Sequence, residues 1–85
     1  MKKRQKFRLP AVSGRQMIKV LMKICYRVVN KKGDHITLSP KCASERYRSS
    51  RLIIPLHKEL KKGTIMTILA RADISKKEFI RLLQN

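Results

Sequence analysis

Apolar residues recur at helical spacing in one early stretch of this chain. Met17, Ile18, Leu21, Ile24 and Cys25 stand three or four positions apart, and Arg15, Lys19 and Lys23 fall on the other side. Just ahead, Ser13-Gly14-Arg15-Gln16 fits the S-x-x-Q capping box, in which two side chains satisfy the opening backbone donors of a helix reciprocally. The pattern predicts an amphipathic helix over residues 14–24. After it the period changes. Tyr26 to Lys31 reads as a strand, Lys32-Gly33-Asp34 as turn material, and His35 to Ser39 alternates polar with apolar. Strand side chains point to opposite faces in turn, so Ile36 and Leu38 share one side of this predicted hairpin while His35, Thr37 and Ser39 share the other.

Residues 40–50, PKCASERYRSS, are polar and turn-rich and read as a mobile basic loop. The stretch RLIIPL then predicts a third strand, at whose edge or end Pro55 belongs because it cannot donate to a ladder. A charged connection, HKELKKGT, follows, with Thr64 expected to cap the next helix. Ile65, Ile68, Leu69 and Ala72 form that helix's apolar stripe. A second capping box, Ser75-Lys76-Lys77-Glu78, opens a last short helix presenting Phe79, Leu82 and Leu83. The expected fold is α+β: a three-stranded antiparallel sheet with helices on one face, in the order α-β-β-β-α, plus a short C-terminal helix. That order is also the order of double-stranded-RNA-binding domains, a likeness of topology that does not by itself fix function.

Composition narrows what such a fold is for. Against 22 Lys and Arg the chain has five Asp and Glu, giving a net charge of +17 over 85 residues. A compact domain carrying that charge repels itself and seeks a polyanion or an acidic polypeptide. Residues 1–8 hold five of the cations and read as a basic flexible arm, leaving 9–85 as a single domain. No apolar run approaches the roughly 20 residues that span a bilayer, and the arm has no apolar segment behind it of the kind a secretory signal carries. Cys25 and Cys42 lie 17 apart with no C-x-x-C, so neither a disulfide nor a metal framework is expected, and the default location is a reducing cytoplasm.

The scarcity of acids shapes the chemistry. Asp34, Glu45, Glu59, Asp73 and Glu78 are too few and too scattered to suggest a two-metal hydrolase, which needs several converging carboxylates. There is no glycine-rich phosphate loop and no Ser-His-Asp arrangement, and no cofactor is expected. RNA offers another route, because its 2′-hydroxyl is a built-in nucleophile. The protein then need only move protons and stabilise charge on phosphorus. Histidine titrates near neutral pH and suits the first task; lysine and arginine suit the second. His35, beside Lys31, Lys32 and a glycine turn, is the candidate proton carrier, with His57 or a lysine as its partner acid. Lys61 and Lys62, just ahead of a helix N-terminus, are candidate phosphate contacts, as are Arg46, Arg48 and Arg51.

Taken in order, these segments resemble the HicA-type toxins of prokaryotic toxin–antitoxin systems. LPAVSGRQMIKVLMKICYRVV is similar to the family's opening Ser-Gly, helix and first strand. KKGDHITL stands where the family has a Gly-Ser-His turn, and IIPLHKELKKGTIMTILARADISKKEFIRLL is similar to its closing segment. The likeness runs over about residues 9–83. It implies a small mRNA interferase with a fold like that of double-stranded-RNA-binding domains, with His35 catalytic. It also implies a partner, a HicB-type antitoxin, which binds the toxin and covers its active site; the toxin is expected to be monomeric when free and hetero-oligomeric with that partner. Asp34 departs from the pattern by standing where Ser is usual, where its carboxylate either orients the imidazole or repels an RNA phosphate. The loop 40–50 and the arm 1–8 are departures too. The competing expectations are a non-catalytic basic module that holds RNA by shape and charge, and a basic protein whose sole partner is an acidic polypeptide.

Overall fold

The computed structural model of the protein describes residues 9–40 and 51–84. Six elements follow one another: α1 (Gly14–Lys23), β1 (Tyr26–Lys32), β2 (His35–Pro40), β3 (Leu52–Pro55), α2 (Lys62–Ala72) and α3 (Lys76–Gln84). The strands form one antiparallel sheet in the order β1-β2-β3, so β2 is central and β3 is an edge. Ile36, Leu38, Leu52 and Ile54 are buried on one face, together with Met17, Val20 and Leu21 of α1, Ile65, Ile68, Leu69 and Ala72 of α2, and Phe79 of α3. All three helices therefore cover the same face, as the alternation in β2 predicts. Each large side chain buried in this way contributes about 1.5–3 kcal/mol.

The element boundaries have local causes. At α1 both halves of the capping box are made: Gln16 N–H donates to Ser13 Oγ at 3.1 Å and Ser13 N–H to Gln16 Oε1 at 2.9 Å. At α3, Glu78 N–H donates to Ser75 Oγ at 3.1 Å. The expected cap of α2 is corrected. Lys61 occupies that position with no side-chain hydrogen bond, and Thr64 sits inside the first turn. The start is set by packing: Leu60 is buried, and its N–H donates to the carbonyl of Val12, itself buried, at 2.7 Å. α2 ends where Asp73 adopts φ 59° and the N–H of buried Ile74 reaches back to Leu69. Lys23 Nζ donates to the carbonyl of Leu82 at 2.8 Å, pinning the end of α3 to α1.

A register irregularity between Val28 and Asn30 resets the first strand. Near the turn, Lys32 pairs with His35 and Asn30 with Thr37, on the open face. Past the irregularity Val28 pairs with Leu38, on the helix face, and Tyr26 with Pro40. Since one residue of slip exchanges the two faces, this single extra residue is what puts Tyr26 into the core, where it is 1% exposed.

A second expectation is also corrected. Cys25 is disulfide-bonded. Sequence spacing is a poor guide here, because a bridge needs only that the fold bring two Cα atoms within about 7 Å. The argument for a reducing compartment loses its ground with it. Of the loop predicted at 40–50, Pro40 instead ends β2, and residues 41–50 lie outside the described residues, as do the arm at 1–8 and with them Arg46 and Arg48.

Candidate functional site

The hairpin turn is Gly33-Asp34, two residues long, with φ +61° at Gly33. A positive φ at the first central position alone fits a type II′ turn, which suits the twist of a hairpin and favours glycine there. A Cβ at Gly33 would meet nothing within 4 Å, so the demand for glycine comes from backbone conformation and not from space. The turn is tied to the end of the edge strand, because Leu56 N–H donates to the Asp34 carbonyl at 2.7 Å.

On this frame Asp34 and His35 meet directly. The Asp34 carboxylate oxygen Oδ1 lies 2.9 Å from His35 Nδ1, with the two side chains 65% and 56% exposed. An exposed pair of this kind adds little to stability, but it sets direction. With Nδ1–H donating to the carboxylate, a neutral imidazole carries its lone pair on Nε2, the nitrogen left to meet a substrate.

Chain direction brings further groups to the same end of the sheet. β1 returns antiparallel to α1, so the turn lies at the N-terminal end of that helix. β3 ends there as well, at Pro55, which pairs with His35. Gly14 N–H, the first of α1, donates to the His57 carbonyl at 3.0 Å, and a Cβ at Gly14 would overlap the Pro55 carbonyl oxygen. The contact between Leu60 and Val12 adds the start of α2. Two helix N-termini, each a positive dipole end, thus share one end of the molecule with His35, His57, Lys58, Lys61 and Lys62. The acids described there are Asp34 and Glu59.

The predicted phosphate contacts are not all equivalent. Lys32 stands cross-strand from His35 on the open face, where paired Cβ atoms are about 5 Å apart. Lys31 pairs with Ile36 and belongs to the opposite side. Lys61 and Lys62 diverge, Lys61 toward a groove beside β3 and Lys62 toward a depression formed with Leu9, Pro10, Ala11 and Glu59. Arg51 shares the open face with His35, but four residues along β3, about 13 Å away at 3.3 Å per residue. The His57 side chain is exposed. Sequence reasoning missed Arg71, which lines the groove with Lys61. Its signal was the helical stripe Thr64, Thr67, Ile68 and Arg71, at spacings of three and four. Among the described residues no three His, Cys, Asp or Glu gather where they could hold a metal ion.

An exposed proton acceptor, oriented by a carboxylate and set among cations and helix N-termini, is suited to an anionic substrate that supplies its own nucleophile. The family described as the HicA toxin of bacterial toxin–antitoxin systems matches residues 14–74, from the first residue of α1 to just past α2. The chain belongs to the HicA toxin family. It is accordingly the toxin of a toxin–antitoxin system, and an antitoxin is its expected partner in general terms. No curated protein and no solved structure matches the chain. The HicA match takes in the helix–strand opening, the Gly33-Asp34-His35 turn and the whole of α2; α3 lies beyond it. Among the described residues no helix is long and apolar enough to cross a membrane.

Proposed function

We propose that this HicA-family toxin is a metal-independent endoribonuclease that cleaves mRNA with His35 as its proton-transfer residue. The observation that carries the reading is the Asp34–His35 contact, which directs the imidazole with Nε2 outward at the end of the sheet near Lys32, Lys58, Lys61 and Lys62. His35 Nε2 takes the proton of an RNA 2′-hydroxyl as its oxygen attacks the adjacent phosphorus. The O2′–P bond forms, the P–O5′ bond breaks, and the leaving 5′-oxygen receives a proton from His57 or a lysine. The products are a 2′,3′-cyclic phosphate and a free 5′-hydroxyl, with no metal or redox partner required for the balance. Lys32 stabilises the charge developing at phosphorus, and Lys31, Lys61, Lys62 and Arg51 hold the flanking backbone, with Arg46 and Arg48 from the segment outside the described residues.

In this reading residues 9–85 act as one domain, residues 1–8 supply additional basic charge, and the antitoxin is of the HicB type and covers the His35 turn. The experiment is cleavage of a single-stranded RNA in the presence of EDTA, alongside the same strand with 2′-deoxy at the cleaved position. The reading predicts that the deoxy strand stays whole and that the 5′ fragment carries the mass of a cyclic phosphate. RNA that is bound tightly and recovered intact supports the non-catalytic binding module instead.

A further inference from the structure

Among the described residues the outer edge of β3 is unpaired, and it faces a groove of which the catalytic reading uses only the rim cations Lys61 and Arg51. Within the β2–β3 ladder, Leu56 donates to Asp34, so residues 52, 54 and 56 pair toward β2. By the alternation of an antiparallel ladder, the N–H and C=O of Ile53 point away from β2, to the open edge. They open into a groove of about 730 Å³ between β3 and α2, floored by Ile53, Thr64 and Ile68 and walled by Arg51, Lys61 and Arg71. Among the described residues none of these three cations is in an ion pair. Because α2 runs back along β3, Lys61 stands at one end and Arg51 with Arg71 at the other. Ten residues of helix at 1.5 Å each make that span about 15 Å, the length of four or five extended residues.

We infer that this groove takes an extended acidic segment of a partner protein, added as a fourth strand on β3. Its backbone pairs with the N–H and C=O of Ile53, an apolar side chain rests on Ile68, and acidic residues at its two ends meet Lys61 and the Arg51–Arg71 pair. RNA fits less well. The outward carbonyl of Ile53 faces a phosphate unfavourably, and among the described residues the groove has no aromatic side chain on which a base could stack. The opposite edge, β1, carries Arg27, Lys31 and Lys32 and an irregular register, features that discourage strand addition. A strand on β3 lies about 10 Å from β2, two strand spacings, and its parent protein overhangs the face bearing His35. The inference rests on the toxin–antitoxin reading for the identity of that parent and is independent of whether His35 is catalytic.

The test uses the full chain and a fluorescent, N-acetylated heptapeptide of alternating Glu and Val, followed by anisotropy. Binding should protect the Ile53 amide from hydrogen exchange. Ile53→Pro, which removes the edge-facing donor and no donor of the β2–β3 ladder, should weaken binding about tenfold, as should N-methylation of alternate peptide amides with the wild-type protein, which leaves the Ile53 side chain in place. The methylated peptide keeps the test decisive if the proline variant does not fold. Arg51→Ala with Arg71→Ala should weaken the peptide more than a 12-nucleotide single-stranded RNA. Failure of the heptapeptide to bind, indifference to both main-chain changes, or a larger loss for the RNA overturns the inference. RNA cleavage is not read in this experiment, so its outcome and that of the catalytic test separate cleanly.

Discussion

Alternate residues of β2 have opposite environments. Ile36 and Leu38 are at most 6% exposed and sit under three helices, while His35, one step before them, is 56% exposed and touches Asp34. The buried pair has many neighbours and no freedom. The outward residue has a carboxylate, a cross-strand lysine and open solvent. Fold and chemistry are thus separated within six residues by the pleat alone, and substitutions on the two faces should fail in different ways.

The largest stability effect belongs on the covered face. Leu38→Ala leaves a cavity at the centre of the core and should cost about 2–5 kcal/mol, measured by urea unfolding. Gly14→Ala comes next. Its Cβ meets the Pro55 carbonyl, a backbone atom that cannot swing aside, so a loss of about 1–3 kcal/mol is expected. Because Pro55 lies opposite His35, this variant should also lose activity, which marks it as the place where the two faces are coupled.

Changes on the open face should leave unfolding within about 0.5 kcal/mol of wild type. Asp34→Asn removes the charge while keeping the shape; if the carboxylate orients the imidazole, turnover should fall about tenfold with RNA affinity unchanged or improved. A rise in turnover would mean that Asp34 chiefly repels the substrate. The smallest effect separates two neighbouring lysines. Lys32→Ala should reduce the salt dependence of RNA binding by about one phosphate contact, and Lys31→Ala, on the other side of the strand at that point, should reduce it less.

Much of this division was legible in the sequence. The alternation of His35-Ile36-Thr37-Leu38-Ser39 gives the faces, both capping boxes mark helix starts, and all four residues of the α2 stripe are buried as its spacing predicts. What stayed hidden depends on contacts between distant segments. The start of α2 at Lys61 is fixed by Leu60 meeting Val12, about fifty residues away, and not by a local cap such as Thr64. The register irregularity near Val29 has no glycine or proline to announce it, yet it is what turns Tyr26 into the core, while the two-residue turn sets Lys32 and not Lys31 beside His35. Arg71 joins Lys61 only because α2 folds back along β3. The disulfide at Cys25 was hidden for the same reason.

The most direct test of the central claim compares wild type with His35→Ala on one RNA substrate in EDTA, with unfolding measured in parallel. The account predicts cleavage reduced by about 10²–10⁴, RNA affinity within a few-fold and stability unchanged. Undiminished cleavage by a correctly folded His35→Ala protein would contradict it.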